Sequence, residues 1–147
     1  LTLEPEEILK MLIRVFVYGT LKPAELNRPD ANEYQRSCLS QLVHAEPAIA
    51  SGHLYDLPEG YPAMVLGNAL VHGFLLSFLD DTILPILDEY EGYEIDSVNN
   101  DYDRISVEIF NAKQESLSFA WTYVMTREAI DRAQGVPIPN GIWTTKK

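Results

Sequence analysis

Cysteine is nearly absent from this 147-residue chain, Cys38 being the only one. A lone cysteine excludes an intramolecular disulfide and a cysteine-rich zinc site, and makes a reducing compartment the expected setting. Basic residues are scarce too: 11 Lys and Arg stand against 22 Asp and Glu, a net charge of −11. Phosphate backbones and anionic membrane surfaces are gripped mainly through Lys and Arg, so neither nucleic acid nor membrane is an expected partner. No apolar run approaches the roughly 20 residues that span a bilayer; the longest, 69–79, contains His72, Gly73 and Ser77. Glu4, Glu6 and Glu7 give the amino end the wrong charge for a secretory leader. The expectation is a soluble, cytoplasmic protein.

The familiar catalytic signatures are missing as well. The chain has no nucleophile-elbow serine, no phosphate-binding Gly-Lys-Ser/Thr loop, no paired-histidine zinc helix and no dinucleotide glycine fingerprint. His44, His53 and His72 stand singly in apolar or strand-like stretches, where a histidine is usually structural, and Cys38 reads as a small buried residue. Neither a metal nor a cofactor is expected.

What is present suffices for one packed domain. At 46% hydrophobic and 10% aromatic, the chain is too apolar for a disordered acidic tail. Residues 13–18, rich in β-branched and aromatic side chains, read as a strand ending at Gly19. Residues 21–40 read as a polar loop with one short helix around 33–38. From 42 to 78, apolar runs alternate with turn signals at Glu46-Pro47, Gly52, Pro58-Glu59-Gly60, Gly67-Asn68 and Gly73, suggesting several short strands in a small, curved sheet. Asp80-Asp81 offers an N-cap for a helix whose apolar stripe is Ile83, Leu84, Ile86, Leu87 and Tyr90, with Gly92 as its stop. Two more strands are expected at 104–110 and 117–125, and then an extended Pro-rich tail anchored by Trp143. This is an α+β pattern: a mixed, strongly curved, barrel-like sheet with one main helix. The domain is expected over 13–126, with extensions at 1–12 and 127–147, the latter packing on it.

Two places can carry chemistry. With residues 100° apart on the helix, Asp88 and Glu89 fall about 130° from the centre of the apolar stripe, whereas Glu91 falls within about 70°. An inward carboxylate loses hydration, holds its proton more tightly and becomes a better base near neutral pH; a partly buried, ion-paired Glu at a helix end is the competing reading. Between Ser37 and Ala112 the only Lys or Arg is Arg104, while nine acids lie between 80 and 103. Arg104 either neutralises this stretch, for instance by holding Glu91, or receives a substrate carboxylate through its two-pronged guanidinium. The second place is Tyr18-Gly19-Thr20-Leu21, where a strand breaks into a turn whose N–H groups can converge on an anion.

Val15-Phe16-Val17-Tyr18-Gly19-Thr20-Leu21-Lys22, Leu87-Asp88-Glu89-Tyr90-Glu91-Gly92-Tyr93 and Tyr102-Asp103-Arg104 together resemble the γ-glutamylcyclotransferase-like superfamily, as do Gly60-Tyr61-Pro62-Ala63 and Ala120-Trp121-Thr122-Tyr123. The similarity runs from about Val15 to Met125. Thr20, where the family often has Ser, is closer to the γ-glutamylamine branch. The resemblance implies a cavity for a γ-glutamyl group, with Tyr18, Gly19, Thr20 and Leu21 binding substrate, Glu91 as acid/base and Tyr123 lining the pocket. It further implies release of 5-oxoproline from a γ-glutamyl amide, without a cofactor. A non-catalytic binding module with the same cavity is the alternative. A glycosidase-like pair of Asp88 and Glu91 is disfavoured, because Asp88 is placed facing solvent.

Overall fold

The computed structural model describes residues 2–5, 7 and 11–145. The 1–12 extension thus lies partly outside the described residues, as do residues 146 and 147 of the tail. The order is β1 (Ile13–Val17), α1 (Pro23–Leu26), α2 (Glu33–Gln41), β2 (Leu42–Asp56), β3 (Pro62–Phe78), α3 (Ile83–Glu91), β4 (Asp103–Phe110), β5 (Ser116–Val124), α4 (Arg127–Arg132) and β6 (Val136–Pro137).

The fold is α+β, built on one six-stranded sheet in the order β3-β1-β5-β4-β2-β6, with β2 also paired to β3. The sheet therefore curves back on itself. Two of its seams are thin: β1 meets β5 in parallel at Val15–Trp121, and β2 meets β4 at Ile49–Phe110. It closes without forming a regular barrel.

The expected run of short strands is in fact two long ones. β2 and β3 pair antiparallel from Leu42–Phe78 to Asp56–Pro62, with register shifts at Leu42/His44 and Ser51/Gly52. A glycine inside a strand lets it bulge or lets another backbone come close without ending it: Gly52 and Gly67 lie at the register shift, and Gly73 lies where a Cβ would meet the Val17 carbonyl. Only the Pro58-Glu59-Gly60 signal is a true turn, closed by the Leu57 N–H donating to Tyr61 O and the Gly60 N–H to Leu57 O.

Strand alternation divides the core. Val15 and Val17 point into one buried cluster with Leu21, Leu26, Cys38, Ile83, Leu87, Tyr102 and Tyr123. Phe16 and Tyr18 point into the other, with Met64, Leu75, Ile109 and Trp143. The turn after β1 thus crosses from one cluster to the other, with Tyr18 on one side and Leu21 on the other.

The polar 21–40 stretch is more ordered than expected. Pro23 opens α1, where its missing N–H costs nothing. A reciprocal capping box between Asn32 and Gln35 starts α2, which continues to Gln41. The helix α3 begins later than its acidic signal: Thr82 is the N-cap, and Asp80 accepts from the Thr82 N–H instead. Gly92 ends it with φ 69°, a left-handed conformation that lets the Gly92 and Tyr93 N–H groups close on the last turn. The tail holds a helix the sequence reading missed, α4, capped by Thr126. Beyond it Trp143 is buried, its indole N–H reaching Asp56 at 3.3 Å and its carbonyl accepting from Lys22 Nζ at 2.6 Å.

Candidate active site

A cavity of about 220 Å³ opens where the turn after β1 faces the end of α3. Its lining includes Tyr18, Gly19, Thr20 and Leu21 from the turn, Tyr90 and Glu91 from α3, Tyr61 and Pro62 at the start of β3, Asp101 and Tyr102 before β4, and Tyr123 from β5. Two segments some 70 residues apart in sequence are held together directly: the hydroxyls of Thr20 and Tyr90 share a hydrogen bond of 2.8 Å. Gln35, buried on α2, donates its amide to the Thr20 carbonyl at 2.8 Å. The N–H groups of Gly19, Thr20 and Leu21 donate to no other group among the described residues, which leaves three donors beside the cavity.

Glu91 sits on the inward side of α3 because Ile83 and Leu87, both fully buried, fix which face of the helix meets the core. No cation or hydrogen-bond donor among the described residues pairs with its carboxylate. Burial alone raises its pKa from 4.5 to about 8. The surrounding tyrosines are phenols held neutral. Burial, and after it the charge of Glu91, pushes Tyr18 well above its ordinary value, and Tyr102 and Tyr123 are raised in the same direction with burial as the main cause.

Asp88 lies elsewhere than the sequence places it, and Arg104 takes the first of its two expected roles, neutralising the acidic stretch, through Asp88 rather than Glu91. Arg104 is not among the residues lining the cavity. Its Nε lies 3.4 Å from Asp88, and its guanidinium packs over the rings of Trp121 and Tyr93, at 4.7 and 5.5 Å from their centres. Asp88 accepts from the Tyr123 hydroxyl at 2.7 Å and is mostly buried, not solvent-facing. A helical wheel assumes one buried face; here the side chains of Arg104 from β4 and Tyr123 from β5 reach a second flank of α3, and Asp88 meets them there. Burial pushes the Cys38 thiol up to about 12, which suits an inert core residue. Among the described residues no three of His, Cys, Asp and Glu come together in a way that could hold a metal ion.

The family model described as "Gamma-glutamyl cyclotransferase, AIG2-like" matches residues 15–145. The chain belongs to this family. It is also 32% identical over 114 residues to a Niallia circulans protein named gamma-L-glutamyl-butirosin B gamma-glutamyl cyclotransferase, covering 78% of this chain and 67% of the relative. An Arabidopsis thaliana protein determined in solution superposes with a TM-score of 0.60 at 26% identity, over 84% of this chain and 74% of its own. An AIG2-like protein from Mus musculus shares the fold at a TM-score of 0.63 and 19% identity, over 92% and 97% of the two chains.

The chain is thus an enzyme of the γ-glutamyl cyclotransferase kind. For this cyclotransferase, the family match runs past Met125 and takes in the tail that buries Trp143. Of the residues singled out from the sequence, Tyr18, Gly19, Thr20, Leu21, Glu91 and Tyr123 line one cavity, and Arg104 does not. The other lining residues are Phe16, Val17, Tyr61, Pro62, Tyr90, Asp101 and Tyr102; all but Asp101 stand in the motifs that carry the resemblance, which assigns none of them to the cavity. To helical periodicity Tyr90 is only part of the apolar stripe, since periodicity does not register a hydroxyl. No helix among the described residues is long and apolar enough to cross a membrane.

Proposed function

We propose that the protein converts a γ-glutamyl amide to 5-oxoproline and a free amine, with Glu91 as general acid/base and no cofactor. One observation carries this reading: an unpaired carboxylate with a pKa near 8 shares a single cavity with three uncommitted backbone donors.

The chemistry follows from those parts. The α-nitrogen of the γ-glutamyl group attacks its own γ-carbonyl carbon, a C–N bond forms, and a five-membered lactam closes. Attack needs a neutral amine, so the Glu91 carboxylate first takes a proton from the α-ammonium. Negative charge moves onto the carbonyl oxygen, where the Gly19, Thr20 and Leu21 N–H groups supply fixed donors. The amide C–N bond then breaks as Glu91 protonates the leaving nitrogen. Of the three α-ammonium protons, one stays on the lactam and two reach the leaving amine, so Glu91 ends as the carboxylate it began as. Nucleophile and electrophile belong to one molecule, and holding its folded conformer removes much of the entropic barrier.

Incubation with γ-glutamyl amino acids and γ-glutamylamines should release 5-oxoproline. Glu91→Gln should lower turnover by roughly 10²–10⁴-fold while the fold persists. Saturable binding without product, at any enzyme concentration, would instead indicate a binding module.

A further inference from the structure

Three of the cavity's tyrosine hydroxyls have a common property. Tyr18 donates its proton to the Tyr123 carbonyl at 2.6 Å, Tyr102 donates to the Pro62 carbonyl at 2.7 Å, and Tyr123 donates to Asp88 at 2.7 Å. A phenol has one proton; once that is spent on the protein, its oxygen meets a ligand only as an acceptor. Together with Glu91, Tyr102 and Tyr123 make an acceptor wall in the cavity that the donor turn also lines. Of the substrate's polar groups, only the α-ammonium is a donor rich enough to fill such a wall.

Tyr123 differs from the other two in what receives its proton. Its partner is a side chain, Asp88, which does not itself line the cavity. Asp88 is gripped from the same two strands: Arg104 and Tyr123 are directly opposite each other in the β4–β5 register, and both reach Asp88. Asp88 also lies three positions before Glu91 on α3, so the grip fixes the stretch of helix that carries the base.

We propose that Asp88, held by Arg104, is a positioning residue: it claims the Tyr123 proton and so commits Tyr123 to accepting a hydrogen bond from the substrate's α-ammonium. This rests on the cyclotransferase reading of the cavity. It predicts that Tyr123 and Asp88 discriminate for the amino group and are indifferent to the rest of the ligand.

The test compares two ligands, a γ-glutamyl anilide and the glutaryl anilide that lacks the α-amino group. Tyr123→Phe should lower kcat/KM on the first by roughly 10–100-fold, the size of one lost hydrogen bond to a charged group, and leave inhibition by the second unchanged. Asp88→Asn, whose amide oxygen still accepts the Tyr123 proton, should retain more activity than Asp88→Ala. In the Asp88→Ala background Tyr123→Phe should add little further loss. If Asp88→Ala does not fold, Tyr123→Phe and Asp88→Asn carry the test alone. Wild-type kcat/KM in Tyr123→Phe, or equal losses for both ligands, overturns the proposal. If the wild type releases no 5-oxoproline, the functional reading falls by itself; calorimetric dissociation constants of the two anilides, on wild type and Tyr123→Phe, then decide this inference separately.

Discussion

The Tyr18 hydroxyl donates to the main-chain carbonyl of Tyr123 at 2.6 Å and accepts from the Met64 N–H at 3.2 Å. One buried phenol therefore ties the start of the donor turn to β5 and to β3. The two strands meet β1 on opposite sides, so the turn is braced where it leaves the sheet. The bond also spends a tyrosine proton, which leaves the cavity face of Tyr18 without a side-chain donor.

Tyr18→Phe keeps the ring and removes that brace. Two buried backbone groups then lose their partner, and the expected destabilisation is about 1–3 kcal/mol. Chemical denaturation should show it as a lower midpoint with an unchanged slope. The turn should also loosen, lowering kcat on a γ-glutamyl amide. A variant with wild-type stability would mean that the bond does not brace the turn.

Gly19→Ala tests the turn from its other side. A Cβ at Gly19 would lie 2.6 and 2.8 Å from Pro62 Cγ and Cδ, closer than packed carbons tolerate. Pro62 is buried, so the relief must come from the turn itself, displacing the N–H groups of Gly19, Thr20 and Leu21. The overpacking should cost about 1–3 kcal/mol. The larger effect is expected on kcat/KM, because donors aimed at a developing oxyanion lose most of their worth when misplaced. Retained turnover would show that these N–H groups do not serve the oxyanion.

What the sequence made legible depended on range. The β1 strand, the stop at Gly92 and the inward lean of Glu91 follow from local pattern, and the structure has each of them. Gly52, Gly67 and Gly73 look like strand ends because a glycine's local signal does not distinguish a turn from a bulge or a close approach, and only the strand pairing decides. Asp88 failed for a related reason: its burial comes from Arg104 and Tyr123, partners that no single-helix projection contains. The capping box of α2 was present at Asn32 and Gln35, yet prolines nearby hid it. The motif resemblance supplied what periodicity could not, the convergence of the Tyr18–Leu21 turn and Glu91.

Trp143 supports a prediction about the tail. It is buried in the same cluster as Phe16 and Tyr18, and its carbonyl holds Lys22, the residue that follows the turn. Trp143→Ala should cost about 3–5 kcal/mol, the usual range for emptying a large aromatic site. Because the loss lies behind the turn, activity at temperatures where the variant is still folded should fall as well. Trp143→Phe, which refills most of the space, should recover stability first. Thermal melts of the two variants alongside 5-oxoproline assays check both halves; an alanine variant as stable as the wild type rules the anchor out.

Glu91 should make activity and stability run in opposite directions with pH. Its pKa is 4.5 ordinarily and about 8 in the folded protein. Between those values the native state holds a proton that the unfolded chain has lost, so unfolding releases it. Stability from this group is then fully present below about pH 4.5 and declines as pH rises through 8, by up to ~1.4 kcal/mol per pH unit. Catalysis needs the opposite form: kcat/KM should climb with pH as the free carboxylate appears, reaching half its plateau near pH 8 and levelling about one unit above it. Glu91→Gln removes the titrating group, so the difference in unfolding free energy, wild type minus variant, should shrink steadily from pH 5 to 8. Denaturant titrations across that range measure it. If the variant shows the same pH slope as the wild type, the proton belongs to another residue and Glu91 cannot be the base that sets the rate profile.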